Sequence, residues 1–409
     1  MKSFDARLQN DLFPKKPAAF DRMIEEKLEN VCSRSGQQGT VIRFPVTEGG
    51  KKPLKKTSAI FHRIAIVATA AVLVIGLLAV GAVAVSARKQ KTTPAAPVEE
   101  QTAATAVPDA TNTVRAATVD EFLAAIASDT SIILTGDVYN LSTASDYGVD
   151  GGDKYLWRKV EDGYELVLCN LENCRIVGSE HTVIETDPRH AAVLEAEHCT
   201  GLVLTDLTVG HTRKPEKCSG EVICLTNCTD TRIDRCALYG CGSWGITAWH
   251  SNGIAALHSE IYECSSGALY IWECGGVEVN DSTIRSCGGG GTLADLIYLQ
   301  DSDVSIRNCD IYDNKTEGSL IYVGDDGTAR HRIVLVGTDV HDNRLTHRGN
   351  YLMNYDNPGA NENTRMTVDG CAFRDNGDNR ILPGNSHVLD RSENELGEAE
   401  LAAMTLKRD

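Results

Sequence analysis

One repeating unit of this chain reads SNGIAALHSEIYEC, from Ser251 to Cys264. Equivalent residues recur every 23 positions, as Cys241, Cys264 and Cys287 show. A fixed period of this size indicates a stacked repeat. Alternating apolar runs, separated by Gly, Asn, Asp and Ser, predict three strands and three turns in each copy. The sequence therefore predicts an all-β solenoid in which each copy is one coil of a parallel β-helix.

Three predicted columns of equivalent residues run along the stack. The last apolar residue of the middle strand gives an anchor column: Val138, Ile176, Val209, Leu238, Ile261, Ile284, Ile311, Val340 and Phe373. Three residues later comes a turn column: Cys241, Cys264, Cys287, Asn314, Asn343 and Asn376. Two residues before the anchor is a column of small residues: Cys174, Cys236, Ser259, Ser282, Cys309, Thr338 and Cys371. Stacked Asn side chains are expected to hydrogen-bond one another and tie the coils together at one corner.

From about Thr118 to about Asp390, this coil pattern and the Asn corner resemble the right-handed parallel β-helix proteins of the pectate-lyase-like superfamily. The resemblance implies the fold but no particular activity, because the fold hosts lyases, hydrolases, epimerases and adhesins. The hydrolase signature of that superfamily includes a Gly-His-Gly step and an Arg-x-Lys step. This chain has Gly210-His211-Thr212 and no Arg-x-Lys step. A pectate lyase of that superfamily would need Ca²⁺-binding carboxylates beside an Arg or Lys base, and neither this set nor the hydrolase set is transferred to the chain.

Charge divides the chain into two parts. Residues 1–91 carry 16 Lys and Arg against 7 Asp and Glu, whereas residues 92–409 carry 24 against 50. A basic head before an acidic body predicts two compartments, with the basic part near a membrane surface. The acidic body argues against nucleic acid as a partner, since phosphate binding requires clustered cationic side chains.

The segment from Ile64 to Ala87 contains no charged residue, and its 24 residues exceed the length of about 20 that crosses a bilayer. A signal-peptide core is the alternative, but the segment begins late and is long for one. Small residues at 82–87 leave late cleavage open. Five Lys and Arg at 51–63 precede the segment and three at 88–91 follow it. This bias predicts a single-pass plasma-membrane protein with a cytoplasmic N-terminus and an extracytoplasmic β-helix.

The predicted organisation has five parts: a mostly disordered cytoplasmic head at 1–62, a transmembrane helix at 63–87, a Pro, Ala and Thr linker at 88–115, the β-helix at 116–392 and a C-terminal tail or short helix at 393–409. In the head, residues 20–31 have the apolar stripe of a short amphipathic helix. Its place before a single span resembles the heads of membrane-bound anti-sigma-type regulators, which implies a cytoplasmic regulator as partner. Cys32 stands alone, so that resemblance includes no zinc-ligand motif.

Short helices are predicted at both ends of the solenoid. Thr118-Val119-Asp120-Glu121 has the pattern of a capping box, and apolar residues follow it with helical spacing. We expect this helix to close the open apolar end of the β-helix, which would otherwise pair with other chains. Residues 398–406 predict a second short helix near the C-terminus.

Fourteen cysteines leave two interpretations. Most occupy columns that hold Ser, Thr or Asn in other coils, which is typical of small buried residues. However, Cys241, Cys264 and Cys287 are predicted to stack at a spacing within disulfide range, on a body outside the cytoplasm. Straight stacking gives poor S–S torsions and favours thiols. The chain has no CxxC pair, so a zinc site is not expected.

A third strand of each coil has the pattern Gly–Φ–x–Φ, where Φ is apolar. Strict alternation predicts these inward pairs: Val222/Cys224, Ile246/Ala248, Leu269/Ile271, Leu296/Tyr298 and Leu320/Tyr322. It predicts these outward pairs: Ile223/Leu225, Thr247/Trp249, Tyr270/Trp272, Ile297/Leu299 and Ile321/Val323. An outward sheet face with this many apolar residues is unusual on an exposed surface, so we expect it to be covered by a loop or to bind a ligand. The sugar-binding hypothesis places Trp249, Tyr270 and Trp272 on a platform for an extracellular polysaccharide. A shift of one residue would exchange the two faces.

Two insertions, 139–165 and 211–220, are predicted walls of a site, because loops commonly carry function. Trp157 in the first insertion is a further candidate ligand-binding residue. In the second, His211, Arg213 and Lys214 are catalytic candidates by residue type alone, and a hydrogen-bonded structural His is the alternative for His211.

The position directly before the turn column is acidic in several coils, which include those of Asp313, Asp342 and Asp375. Stacked carboxylates bind Ca²⁺ or are simply solvated, and no other cofactor is expected. Three functions remain open at this stage: a polysaccharide-binding or sensing module, a carbohydrate-active enzyme of the polysaccharide lyase or glycoside hydrolase type, and a structural surface protein or adhesin.

Overall fold

The computed structural model describes residues 110–149, 152–214, 217–240, 243–288, 294–324, 331–347, 351–356, 365–377, 380–382 and 388–408. The predicted head at 1–62, the predicted transmembrane helix at 63–87 and most of the predicted linker lie outside these residues, as does Cys241. In the part of the chain that is described, no helix is long and apolar enough to cross a membrane.

Three long sheets, called A, B and C, take one strand each from the successive coils. Sheet A comprises β1 (Asn112–Ala116), β2 (Thr130–Leu134), β6 (Arg175–Val177), β9 (Val203–Thr205), β12 (Thr229–Asp234), β15 (Asn252–Leu257), β18 (Val277–Asn280), β21 (Val304–Arg307), β25 (Arg332–Val336), β29 (Arg365–Asp369) and β31 (Val388–Leu389). Sheet B comprises β3 (Val138–Asn140), β7 (Val183–Thr186), β10 (Thr208–His211), β13 (Ala237–Tyr239), β16 (Glu260–Tyr262), β19 (Thr283–Arg285), β22 (Asp310–Tyr312), β26 (Asp339–His341) and β30 (Ala372–Arg374). Sheet C comprises β4 (Tyr155–Val160), β5 (Gly163–Cys169), β8 (Leu194–Glu197), β11 (Ile223–Thr226), β14 (Trp244–Trp249), β17 (Gly267–Trp272), β20 (Ile297–Gln300), β24 (Ile321–Gly324) and β28 (Met353–Asp356).

The strand pairing confirms the predicted solenoid. Neighbouring strands of sheets A and B are parallel, and in sheet C only the hairpin pair β4–β5 is antiparallel among the described strands. Leu238, Ile261, Ile284 and Ile311 pair in one straight column. A two-stranded sheet, β23 (Lys315–Thr316) with β27 (Arg344–Leu345), extends one corner. Buried Leu, Ile, Val and Cys side chains fill the interior that the three sheets enclose.

The first coils are offset from the predicted anchor column. Tyr139 and Ile184, rather than Val138 and Ile176, pair into the column that continues as Val209. Val138 is 56% exposed, whereas Ile176 lies in sheet A, so the prediction was wrong at these two anchors and at Cys174, two residues before Ile176. The insertions in these coils break the spacing on which the extrapolation depended.

The Asn corner forms as predicted. Asn314 Nδ2 donates to Asn343 Oδ1 over 2.9 Å, and Asn343 Nδ2 donates to Asn376 Oδ1 over the same distance. The backbone N–H of Cys287 donates to Asn314 Oδ1, so the cysteine column continues directly into the ladder. No two of the twelve described cysteines are joined by a disulfide.

Short helices lie at both ends of the described chain. The helix α1 (Val119–Ala125) has the predicted N-cap, because Thr118 Oγ1 accepts from Glu121 N–H. The second half of the predicted capping box differs, since Glu121 accepts from the N–H of Ala117 rather than from that of Thr118. The strand β1 begins within the predicted linker 88–115, because the polar run from Asn112 pairs in parallel with β2. The helix α2 (Glu398–Ala403) is shorter than the predicted 398–406, and its Leu401 is fully buried.

Candidate functional site

The outer surface of sheet C differs from the predicted alternation. Because Leu269 pairs with Ile297 and Tyr270 with Tyr298, Tyr298 points outward, and its partner Tyr322 does the same. In this coil both Leu296 and Ile297 point inward and are fully buried. Val222, Leu296 and Leu320 are buried in the core as predicted. The prediction was wrong for the second member of each inward pair, since Cys224, Tyr298 and Tyr322 point outward. The chain turns a corner just before the strand, and two successive apolar residues fill the inside of that corner.

This register gathers six aromatic side chains into a single surface, called here the aromatic face: Trp244, Trp249, Tyr270, Trp272, Tyr298 and Tyr322. All six are half-buried. Trp249 and Trp272 stack with ring centroids 5.8 Å apart, and Tyr298 stacks on Tyr322 at 5.0 Å. Tyr270 joins the two groups, since it lies 5.1 Å from Trp249 and 4.8 Å from Tyr298. The aromatic face thus continues over four coils, two more than the sequence predicted.

Polar groups hold the edge of the aromatic face in place. Trp272 donates its indole N–H to Glu273 over 3.0 Å, and the other carboxylate oxygen of Glu273 lies 3.0 Å from His250 Nδ1. In the next coil, Gln300 donates to Asp301 over 2.7 Å. Burial raises the pKa of Tyr270, with a further contribution from Tyr298, so this hydroxyl remains protonated. The ring edges therefore offer hydrogen-bond donors and acceptors beside flat apolar rings.

The other end of the same sheet carries a carboxylate cluster, formed by Glu165, Glu195 and Glu197 around Arg158. The Arg158 guanidinium lies 2.6 Å from Glu195, 2.7 Å from Glu197 and 3.4 Å from Glu165. Burial opposes its charge, but the carboxylates outweigh burial and raise the pKa of Arg158. Burial, followed by the neighbouring Glu195, raises the pKa of Glu165 to about 8. At neutral pH the cluster therefore keeps a proton on Glu165 and a fixed cation at its centre.

Thr247 lies between the carboxylate cluster and the aromatic face. It pairs with Cys224 on one side and with Tyr270 on the other. Thr247 is 2% exposed, and its hydroxyl oxygen has no hydrogen-bond partner among the described residues. A buried hydroxyl without a partner is uncommon, because its desolvation is not compensated.

Trp157 does not join the aromatic face. It is 7% exposed and belongs to the apolar interior, and its indole N–H donates to Asp146 over 3.2 Å. Tyr147 packs edge-on against it at 5.1 Å. The antiparallel hairpin β4–β5 turns this side chain inward, whereas the next residue, Arg158, faces the carboxylate cluster.

The three catalytic candidates of the second insertion are not brought together. His211 ends strand β10 at 1% exposure, and its Nε2 is 2.9 Å from the carbonyl oxygen of Ala191. Burial lowers the pKa of His211, so the ring is neutral and Nε2 carries the proton that Ala191 accepts. Arg213 and Lys214 are exposed, and Arg213 donates to the carbonyl oxygen of Asp187. This arrangement is that of a structural histidine beside surface cations.

The acidic corner column is exposed. Asp313, Asp342 and Asp375 adopt left-handed backbone conformations with φ between 53° and 55°, which Asp tolerates better than most residues. Asp313 accepts a hydrogen bond from Ser286, and Asp342 lies 2.7 Å from His341 Nδ1. Within the described ranges, no group of three His, Cys, Asp or Glu side chains is arranged to hold a metal ion. The local turn geometry accounts for aspartate at these positions.

Comparison with known proteins agrees with this architecture. Residues 214–344 match the family model described as the right handed beta helix region. The solenoid is a right-handed parallel β-helix. Comparison with curated proteins gave no match.

Solved structures with similar folds include two lyases. An alginate lyase from Paenibacillus sp. str. FPU-7 is 14% identical, with a TM-score of 0.38, and covers 68% of this chain and 99% of its own. A pectate lyase from Bacillus sp. N165, solved with trigalacturonate, is 11% identical, with a TM-score of 0.47, and covers 72% and 92%. At such identities a shared fold does not indicate a shared activity.

The sequence did not indicate the carboxylate cluster or the extension of the aromatic face to Tyr298 and Tyr322. One signal was present: Glu195 and Glu197 alternate with the apolar Leu194 and Ala196, which places acids on the outward side of a strand. No pattern connected them to Arg158, since the hairpin that carries Arg158 interrupts the repeat.

Proposed function

We propose that this chain is a single-pass surface protein whose β-helix binds an extracellular polysaccharide on the aromatic face. The observation that carries the proposal is the continuous stack of aromatic rings over four coils of sheet C. Four strands at a spacing of about 4.8 Å make a surface about 14 Å long, enough for more than one sugar ring. Aromatic faces receive the C–H faces of sugars, and the polar groups at their edges bind hydroxyls.

The topology of this proposal comes from the sequence. Residues 63–87 would anchor the protein in the plasma membrane, with the basic head at 1–62 in the cytoplasm and the acidic β-helix outside. The helix α1 would close the N-terminal end of the solenoid, since Phe122 and Leu123 are buried against the first coils. A regulator bound by the head would receive the signal of glycan binding.

The test is a glycan array probed with the full-length chain and with two variants, Trp249→Ala and Trp272→Ala. We expect selective binding that each variant weakens about fivefold or more, because stacking of a sugar ring on one aromatic ring contributes on the order of 1 kcal/mol or more. Tyr262→Ala is the matched control, since Tyr262 stacks on Tyr239 at 5.7 Å on sheet B, away from the aromatic face. Binding that both Trp variants leave unchanged, or no binding to any glycan, contradicts the proposal.

A second candidate function is glycan cleavage, which the carboxylate cluster favours. A protonated Glu165 beside Glu195 has the form of a general acid next to a second carboxylate, as glycoside hydrolysis requires. Arg158 does not suit the role of a lyase base, because the surrounding carboxylates hold it protonated. New reducing ends that disappear in Glu195→Gln would establish a hydrolase, whereas products with ultraviolet absorbance would establish a lyase.

A further inference from the structure

The charges around the aromatic face have one sign. The outward positions of β8, β11, β14, β17, β20 and β24 include no lysine or arginine. Neither do the described turn residues that follow the first five of these strands, two of which are His198 and His250. The charged residues at these positions are carboxylates: Glu195, Glu197, Glu273 and Asp301. The neighbouring cation, Arg158, is already bound by three carboxylates. The surface that meets a ligand is therefore aromatic and anionic.

This charge pattern conflicts with a polyuronate ligand. Such a chain carries one carboxylate on each sugar, and its approach would place like charges within a few ångströms in a partly dehydrated setting. Binding would then require cations from the protein, and the described face supplies none.

The same pattern suits an ammonium group. A cation above Trp or Tyr is attracted by the negative face of the ring, and a carboxylate at the ring edge adds an ion pair. Glu273 lies at this edge, where its carboxylate accepts a hydrogen bond from the indole N–H of Trp272 over 3.0 Å. Its side chain remains about half exposed. Asp301 follows Gln300, whose register partner is Trp272. Each carboxylate has two oxygens and several acceptor positions, so bonds to neighbours leave room for another donor.

We infer that the ligand of the aromatic face is an amino-sugar polysaccharide, with glucosamine-type units whose amines are protonated. The sugar rings stack on the aromatic face, and successive ammonium groups lie against Glu273 and Asp301. This inference rests on the proposed function and specifies its ligand class.

The experiment compares three probes of equal length by calorimetric titration of the full-length chain in mildly acidic buffer. They are a β-1,4-linked glucosamine tetramer, its fully N-acetylated counterpart, which is neutral, and a tetramer of galacturonic acid. We expect the glucosamine tetramer to bind about tenfold more tightly than the neutral one, with the advantage lost in high salt. The galacturonate tetramer should not bind.

Two variants locate the effect. The double variant Glu273→Gln/Asp301→Asn keeps the shapes and hydrogen-bond acceptors, so it should bind both tetramers with equal affinity. Asp375→Asn removes one exposed acid at another corner and should leave the preference unchanged. Three results overturn the amino-sugar inference while glycan binding stands. The galacturonate tetramer binds more tightly than the others, the unmodified chain binds the two glucosamine-based tetramers equally, or the preference survives the double variant. Failure of all three probes together with a blank glycan array removes the proposed function itself.

Discussion

Tyr270 and Tyr298 lie one coil apart on the outer surface of sheet C, with ring centroids separated by 4.8 Å and ring planes inclined by only 7°. The centroid distance equals the spacing of hydrogen-bonded strands, so the backbone itself sets the stack. Aromatic rings at this separation have little freedom to rotate, which gives a rigid surface before any ligand arrives. Rigid apolar surfaces lose little conformational entropy on binding.

The outward direction of Tyr298 predicts a contrast with its neighbour Leu299, which points inward and is 1% exposed. Leu299→Ala should lower the free energy of unfolding by about 2–5 kcal/mol, because it leaves a cavity in the core. Tyr298→Ala should lower it by only about 1 kcal/mol, the value of a stacked aromatic pair. Chemical denaturation of both variants measures the difference. An equal or larger loss for Tyr298→Ala would place this ring inside the solenoid.

The sequence predicted the coils, the anchor column after Val209 and the Asn corner, because stacked repeats force equivalent residues into register. It did not predict that Tyr298 and Tyr322 point outward, because strict alternation does not allow for the corner where two successive residues, such as Leu296 and Ile297, both point inward. The outward direction of Trp249 and Tyr270 was predicted correctly. In their strands the alternation was counted from Ile246 and Leu269, which lie just after the corner and point inward.

The carboxylate cluster shows a second limit of prediction from the repeat. Arg158 lies on β4, and the antiparallel hairpin that carries it has no counterpart among the other described coils, so no repeat column relates Arg158 to Glu195. Likewise, Trp157 was a plausible ligand-binding residue by type, and only the orientation of that hairpin decides that it is buried. Insertions carry the chemistry that the repeat cannot predict.

The Asn corner predicts a specific loss of stability for Asn343→Ala. Asn343 is 2% exposed, donates to the carbonyl oxygen of Ile311 over 2.8 Å and accepts from the backbone N–H of Asn314 over 3.1 Å. The variant leaves both groups buried without a partner, and we expect a loss of about 3 kcal/mol in the free energy of unfolding. Asn394→Ala, at an exposed position, is the control and should cost at most about 1 kcal/mol. Similar losses for the two variants would show that the ladder adds little.

The cysteine columns predict thiols that do not react in the folded protein. Burial raises the pKa of Cys236 and of Cys309 to about 12 and that of Cys274 to about 11, so almost none of each is thiolate at neutral pH. Alkylation followed by mass spectrometry should modify the half-buried Cys169 first and the buried thiols only after denaturation. A disulfide between stacked cysteines, or rapid labelling of Cys236, would contradict this arrangement.

The raised pKa of Glu165 predicts that the β-helix loses stability as the pH rises. The folded protein holds a proton on this carboxyl up to about pH 8, whereas the ordinary value is 4.5. Between these two values the folded state binds more protons than the unfolded state, so the free energy of unfolding falls with increasing pH, by at most about 1.4 kcal/mol per pH unit. The contribution of Glu165 is fully present below its ordinary pKa and is lost as the pH approaches 8.

Glu165→Gln isolates this effect, because the amide keeps the shape of the protonated acid and can still accept the hydrogen bond from Ala192 N–H. Thermal unfolding followed across the same pH range should show a weaker decline for this variant and a higher midpoint than the unmodified chain above pH 8. Glu180→Gln, at an exposed position, should follow the unmodified chain. A variant with the unchanged pH dependence would mean that Glu165 ionises normally, and the carboxylate cluster would then carry one more negative charge toward the aromatic face.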